Sequence, residues 1–505
     1  MLLIYPPVAK PCEPPAGLAR LAGALRGNGI DCTLLDANLD GQLFLLSQPR
    51  EPADTWSIRA GRNLDANLAA LQSLQLYTHR DRYRRAVADV NRVLEQAGRG
   101  HRLSLNFANY QDRELSPLKS ADLLRAAEQP NTNIFFPCFR KRLEQLLQET
   151  SPPMVGFSLN YLSQAVCTFA MVGFLKKRYP GLLIVLGGGL VTSWLRNPAW
   201  SNPFTGLVDH FVAGPGEEAL LSLLGAFSKA EHHAPVYRGL PCNRYLAPGF
   251  ILPYAASSGC YWNKCTFCPE TSEDNPYLPL PTDKVLDDIS QLAGSVNPVL
   301  IHFLDNAVSP SLMRVLAENP PGIPWYGFAR ISPQLADIDF CLKLRRSGCV
   351  MLKLGLESGD QSVLDAMNKG IDLALISDVL QALEKAGIAT YVYLLFGTPA
   401  ESISEARQTL SFIAEHHRAV TFLNLAIFNM PVCSQEAEML TLKEFYEGDL
   451  SLYRDFIHPR GWQRREIRRF LDREFTRHPL ITPIVKRDPP VFTSNHAPFF
   501  TEFFF

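Results

Sequence analysis

Cys260-Tyr-Trp-Asn-Lys-Cys265-Thr-Phe-Cys268 is the stretch from which the rest of this chain can be read. Three thiols within nine residues, with no fourth cysteine or histidine at finger-like spacing just downstream, suit a 4Fe-4S cluster with one iron left open. Structural zinc is the competing reading. Such sites close all four positions, usually with paired C-x2-C knuckles or histidines, and the next cysteine here is Cys341.

Upstream, Ile251-Leu-Pro-Tyr-Ala-Ala-Ser-Ser-Gly-Cys260 reads as a short strand ending in a glycine-bearing turn, which puts the triad on a loop at a strand's carboxyl end. Loops at that end build active sites in α/β barrels. Downstream, strand-like runs at Val299 to Leu304, Trp325 to Phe328, Val350 to Leu356, Thr390 to Phe396 and Phe422 to Phe428 alternate with helical patterns. The helices are expected at Asp283 to Leu292, Ser309 to Glu318, Leu335 to Ser347, Leu373 to Ala386 and Ser404 to Glu415. With the strand before Cys260 this makes six parallel strands, too few for a tight barrel packed solid with side chains. Period-two alternation places Lys353, Gly355 and Glu357 on one strand face and Leu352, Leu354 and Leu356 on the other, so helices cover the outside and the inside is polar.

This region, 250–430, resembles the radical S-adenosylmethionine (SAM) superfamily, whose cluster loop follows the first strand of a partial (βα)6 barrel. The usual spacing in that family is C-x3-C-x2-C; here it is C-x4-C-x2-C, one extra residue that a loop can absorb. The resemblance implies that Cys260, Cys265 and Cys268 are the protein ligands of one cluster. It further implies SAM-binding roles for five residues. Phe267 would pack near the adenine or cover the cluster, and Asp305, after the second strand, would lie near the methionine amino group. Arg330, after the third, would pair with the carboxylate if it is not an ordinary surface arginine. Glu357, in Leu354-Gly-Leu-Glu357-Ser-Gly, would approach the ribose, and Gly397, in Leu394-Leu-Phe-Gly397-Thr-Pro399, would let the backbone pass close to the adenine.

The first 245 residues form a different object. Strands at Leu2-Leu-Ile-Tyr, Cys32 to Leu35, Val155 to Ser158, Leu182 to Gly187 and Asp209 to Ala213 alternate with helices such as Leu18 to Arg26 and Ser163 to Lys177, the pattern of an open, Rossmann-like doubly wound sheet. Ser158, Gly187, Gly188, Gly189 and Gly214 lie at strand carboxyl ends, where such sheets bind ligands. The half resembles the cobalamin-binding-like domain fused ahead of many radical SAM barrels, and those residues are its candidate cobalamin contacts. The D-x-H-x-x-G signature of histidine-ligated cobalt is absent, and His210 follows Asp209 directly, so histidine ligation is not expected. The alternative is a scaffold that kept its fold and lost its ligand. An interruption at about 42–148 reads as helical and charged. Within it, Thr78-His-Arg-Asp-Arg-Tyr-Arg-Arg runs into Ala86, Val87, Val90 and Val93 at helical spacing, the mark of a solvated helix face rather than a nucleic-acid patch.

A net charge of −1 suggests no polyanionic partner. No apolar run is long enough for a membrane span, no signal peptide is indicated, and eleven cysteines without a disulfide framework point to a reducing cytoplasm. Beyond Met430 the extension 431–505 is expected to form amphipathic helices at Glu444 to Phe456 and Gln463 to Phe475, followed by an aromatic tail that packs back on the body. His496 in that tail is expected to be structural.

The resemblance implies an enzyme that cleaves SAM to a 5′-deoxyadenosyl radical, a possible cobalamin-dependent C-methyltransferase. Its partners would be a small-molecule or peptide substrate and an external flavodoxin- or ferredoxin-like electron donor. For methyl transfer, the glycine-lined edge of the first domain is expected to oppose the mouth of the barrel. A rearrangement or cyclisation enzyme with a vestigial first domain, and a non-catalytic iron–sulfur redox or assembly protein, are the alternatives.

Overall fold

The structure, a computed structural model, describes all residues except 50, 52, 227–230, 444–447, 490–495 and 502–505. The chain divides into two units, one built on Met1–Ile251 and the other opening at Leu252, with the C-terminal residues shared between them.

The first unit is organised on a five-stranded parallel sheet. Its strands are β1 (Leu2–Tyr5), β2 (Thr33–Asp36), β5 (Met154–Ser158), β6 (Leu183–Gly187) and β7 (His210–Phe211), in the order β2-β1-β5-β6-β7. Counting sheet strands alone, this is the 2-1-3-4-5 order of flavodoxin-like folds, which places a switch point between β1 and β5. Leu2, Ile4, Val155, Ile184 and Leu186 are essentially inaccessible, because helices cover both faces of the parallel sheet.

Between β2 and β5 lies the helical insertion. Its longest helix, Arg80–Arg99, buries Tyr83, Ala86, Val87, Val90, Val93 and Leu94 while Arg82 and Arg85 stay exposed, the amphipathic division its spacing predicts. The insertion also contains a hairpin that the charged composition hid. Strands β3 (Leu103–Asn106) and β4 (Asn109–Asp112) pair antiparallel, and Asn106 Oδ1 accepts from the amides of Ala108 and Asn109 at the turn.

The second unit carries a six-stranded parallel sheet of β8 (Ile251–Tyr254), β11 (Leu300–Phe303), β12 (Trp325–Ala329), β13 (Cys349–Glu357), β14 (Ala389–Phe396) and β15 (Phe422–Ile427), in consecutive order. Between β8 and β11, the short strands β9 (Ser257–Ser258) and β10 (Leu278–Pro279) pair antiparallel. Leu352, Leu354 and Leu356 are fully buried, as the outward face of a helix-covered strand should be.

The C-terminal extension departs from expectation. Gln463 to Phe475 is helical, as Arg464–Phe470 continuing into a π-helical turn, Leu471–Phe475. Glu444 to Phe456 is not a helix in its described part. Residues 444–447 lie outside the described residues, and Tyr453–Phe456 is strand β18, paired antiparallel with β16 (Met430–Pro431) and β17 (Leu442–Lys443). A turn at Gly448-Asp449-Leu450 interrupts the apolar spacing that suggested a helix, and Phe456 instead joins Phe428 and Met430 in a small apolar cluster. Of the tail, 490–495 and 502–505 lie outside the described residues. His496 is fully buried against Tyr391 and Phe422, with Nε2 bonded to Asp488 Oδ1 at 2.8 Å. Among the described residues no helix is long and apolar enough to cross a membrane.

Candidate active site

The cysteine loop is pinned at its base and along its side. At the base, the β9–β10 ribbon closes it, and Gly259, at φ +72°, lies so near the returning chain that a Cβ would sit 2.3 Å from the Pro276 carbonyl oxygen. Below the ribbon, Asp305 at the end of β11 is buried. Its Oδ2 accepts from the Ala256 amide at 3.1 Å and its Oδ1 from Ser257 Oγ at 2.5 Å. Along its side, the Thr266 amide donates to the Met367 carbonyl at 3.1 Å, and Trp262 Nε1 to the Asn368 carbonyl at 3.3 Å. Thus Asp305 positions the loop, and the segment after β13 braces it.

Two cations converge on the thiols. The Arg330 guanidinium stacks 3.8 Å over Trp262 and donates to the carbonyls of Lys369 and Gly370. Lys369 Nζ donates to Glu357 Oε1 at 2.8 Å and stands 5.6 Å from the Phe267 ring. Glu357 reaches this position through a left-handed backbone, φ +69°, and an irregularity in β13–β14 pairing between Gly355 and Glu357. Its carboxylate folds back over Gly355, where a Cβ would come within 2.5 Å of Oε1.

Cys265 is buried and Cys260 and Cys268 are half-buried. Burial raises the Cys265 thiol while Lys369 and Arg330 pull it down. Burial pushes Cys268 up to about 11 against the amides of Glu270 and Thr271. Among the described residues, no trio of Cys, His, Asp or Glu closes around a single ion. Thiolates sharing one zinc ion stand about 3.7 Å apart, from the ~2.3 Å bond and tetrahedral geometry. Three soft thiols on one braced loop, with an arginine and a lysine to balance thiolate charge, fit a larger polynuclear cluster as a donor set.

The structure therefore gathers Cys260, Cys265, Cys268, Phe267, Arg330 and Glu357 around one loop and adds Trp262 and Lys369, which the sequence pattern did not mark. Lys369 lies in the run Met367-Asn368-Lys369-Gly370, but nothing in its spacing announces a partner twelve residues back. Two placements differ from expectation. Asp305 spends both carboxylate oxygens on the loop, and the close approach at Gly397 (φ +84°) is to Ile467, whose Cδ1 would lie 2.4 Å from a Cβ there. Phe267 packs against the apolar cluster of Phe428, Met430 and Phe456, which favours cover over an exposed adenine face.

The first unit has its own polar edge, where the carboxyl ends of β1, β5, β6 and β7 are laced together. Asn160 Nδ2 donates to Ser158 Oγ at 3.0 Å, and its Oδ1 accepts from the Gly189 amide at 3.0 Å. Gln164 Nε2 donates to the Pro6 carbonyl at 2.7 Å, and Thr192 Oγ1 accepts from the Gly214 amide at 2.9 Å. Gly188 (φ 106°, ψ 176°) occupies a region open essentially to glycine alone, and Gly187 ends β6. At the same edge Asp36, unmarked in the sequence, accepts from Tyr245 Oη at 2.8 Å, and burial pushes its carboxyl up to about 6. His210 begins β7 and so lies toward the amino edge, while Asp209 is held by Lys176 Nζ and the Ile184 amide.

Residues 254–413 match the radical SAM superfamily. The second unit contains a radical SAM domain. The chain is 21% identical over 310 residues to an uncharacterized methyltransferase of Pyrococcus horikoshii, covering 54% of this chain and 66% of that one. It is 22% identical over 319 residues to the anaerobic magnesium-protoporphyrin IX monomethyl ester cyclase of Cereibacter sphaeroides, covering 53% of this chain and 50% of that one. The match thus spans half to two thirds of these relatives. Among solved structures, the radical S-adenosylmethionine methyltransferase TsrM of Kitasatospora setae, with cobalamin and a 4Fe-4S cluster bound, superposes with a TM-score of 0.51. At 16% identity, with 85% of this chain and 75% of that one covered, it shares the fold.

Proposed function

We propose that the radical SAM domain of this chain holds a 4Fe-4S cluster on Cys260, Cys265 and Cys268 and that the whole chain is a cobalamin-dependent methyltransferase. One observation carries the first part: a lone cysteine triad lies on a braced loop at the carboxyl ends of parallel strands, with Arg330 and Lys369 turned toward it. When bound, such a cluster supplies the electron that breaks a carbon–sulfur bond of SAM, giving the 5′-deoxyadenosyl radical that takes hydrogen from a substrate.

The chain's own residues supply position and charge. Arg330 and Lys369 balance the thiolates and offer donors to a carboxylate, and Glu357, anchored by Lys369, presents an acceptor at the mouth of the barrel. Asp305 fixes the loop from below. In the first unit, the 2-1-3-4-5 strand order and the glycine-lined carboxyl edge at Ser158, Gly187, Gly188, Gly189 and Gly214 support cobalamin binding. The cobalamin bound by the fold relative adds to that support.

An external one-electron donor and a small-molecule or peptide substrate complete the reading. Cyclisation is favoured instead by the cyclase among the relatives. Anaerobic reconstitution with iron and sulfide, followed by assay of 5′-deoxyadenosine and titration with hydroxocobalamin, separates the readings. Changing any one of the three cysteines to Ala should abolish SAM cleavage. Retention of a full cluster in the triple variant overturns the assignment, and failure to bind near-millimolar cobalamin selects cyclisation or rearrangement.

A further inference from the structure

A buried donor that finds no acceptor in the protein marks a place where something else belongs, because folded chains keep few such groups. Two flank the cysteine triad. Tyr261 Oη, on the residue after Cys260, and Thr271 Oγ1, three residues after Cys268, are both inaccessible and have no hydrogen-bond partner among the described residues. Neither reaches a cysteine sulfur.

Both hydroxyls nevertheless belong to residues on the thiol side of the loop. Burial lowers the Arg330 pKa while Cys265, Tyr261 and Cys260 all oppose that shift, so one guanidinium lies within the field of the phenol and of two of the three thiols. The Tyr261 ring is held edge-on to Tyr277 at 6.2 Å. Burial raises the Cys268 thiol and the amides of Glu270 and Thr271 oppose it, so the Thr271 hydroxyl hangs from a residue whose amide already faces that sulfur.

A 4Fe-4S cluster supplies the acceptors that these donors lack. Its inorganic sulfides carry negative charge, which grows when the cluster takes up an electron, and hydrogen bonds to the sulfurs are one of the terms that set its potential. A neutral tyrosine or threonine can only donate toward such an anion. The bond strengthens with the charge of its acceptor, so it favours the reduced form over the oxidised one.

We infer that Tyr261 Oη and Thr271 Oγ1 donate hydrogen bonds to inorganic sulfides of the cluster held on Cys260, Cys265 and Cys268, and that these bonds raise its reduction potential. The inference rests on the cluster reading proposed above. Tyr261 and Thr271 thus add two neutral donors to the positive charge of Arg330 and Lys369.

The test is an anaerobic redox titration of the reconstituted full-length protein without SAM, followed by the electron paramagnetic resonance of the reduced cluster. One electron passes from dithionite, through mediators, to the oxidised cluster, so the midpoint reports on the sulfides and needs no turnover. Iron and sulfide content are measured first, so that only loaded protein is compared. Tyr261→Phe should shift the equilibrium at least ~3-fold against the reduced form, read as a lower midpoint on the scale of 59 mV per tenfold for one electron. Thr271→Val should shift it in the same direction. Thr271→Ser, which restores a hydroxyl, should keep the wild-type midpoint, and this pair reads the proposal even if Tyr261→Phe does not fold. A wild-type midpoint in Tyr261→Phe, or equal midpoints in the two Thr271 variants, overturns the assignment of that residue and gives its hydroxyl to a trapped water. A shift that appears only once SAM is added overturns it too, because the acceptor is then SAM. Failure of the wild type to assemble a cluster, or a full cluster in the triple cysteine variant, defeats the cluster reading itself, an outcome distinct from a loaded cluster whose midpoint does not move.

Discussion

Glu401 shows how far a single residue's environment can depart from its type. It is fully buried, its Oε2 accepts from the Gly397 amide and from Trp462 Nε1 at 3.0 Å, and burial pushes its carboxyl up to about 7. A carboxyl raised in the folded state binds its proton more tightly there than in the unfolded chain. Its contribution to stability is therefore fully present at acid pH and is lost as pH rises from about 4.5 toward 7. Asp36, raised to about 6, acts in the same direction at somewhat lower pH. Urea midpoints measured at pH 5 and pH 7.5 should show the wild type losing stability over that interval. Glu401→Gln, which cannot titrate, should lose less by up to about 3 kcal/mol, on the scale of 1.36 kcal/mol per pKa unit. An identical loss in both proteins would show that Glu401 does not titrate in that window. The sequence displays a glutamate four residues past Gly397; only the fold supplies the burial that moves it.

At the scale of elements, the carboxyl edge of the first sheet depends on backbone that few residues can adopt. Gly188, at φ 106° and ψ 176°, caps the helix Gly189–Arg196, and a Cβ there would meet the Leu159 carbonyl oxygen at 2.6 Å. Gly214, at φ +68°, has nothing within 4 Å of the same point. Gly214→Ala should therefore cost only the left-handed backbone term, about 1–2 kcal/mol. Gly188→Ala adds a backbone clash and should cost about 3 kcal/mol or more. Urea unfolding of the two variants checks the order, and equal costs would mean that the β6 turn relaxes freely. Both glycines could be marked from sequence as strand-end residues. That Gly188 cannot be replaced and Gly214 nearly can depends on Leu159, which comes from the preceding strand's loop.

For the molecule as a whole, two separate hydrogen-bonded sheets imply two separable cofactor capacities. Replacing Cys260, Cys265 and Cys268 together by Ala should remove the cluster and SAM cleavage while leaving the affinity for hydroxocobalamin within about twofold of wild type, because no strand of the five-stranded sheet depends on them. His210→Ala should likewise leave that affinity unchanged, since His210 begins β7, away from the glycine-lined edge. Loss of cobalamin binding in either variant would contradict this division. The alternation of strands and helices, the cysteine spacing and the parity that sets Lys353 with Gly355 were written in local sequence, because period and spacing depend on neighbours along the chain, whereas Glu357 takes its place through the break in register after Gly355. Local pattern failed where distant packing decides. The helix expected over Glu444 to Phe456 yields strand β18 because β16 and β17 offer it partners, and Lys369 acquires its role only when the segment after β13 folds onto the cysteine loop. Likewise Gly355 comes to lie in register with Tyr393, whose ring meets Phe328, an arrangement of β12, β13 and β14 that no single window of sequence contains.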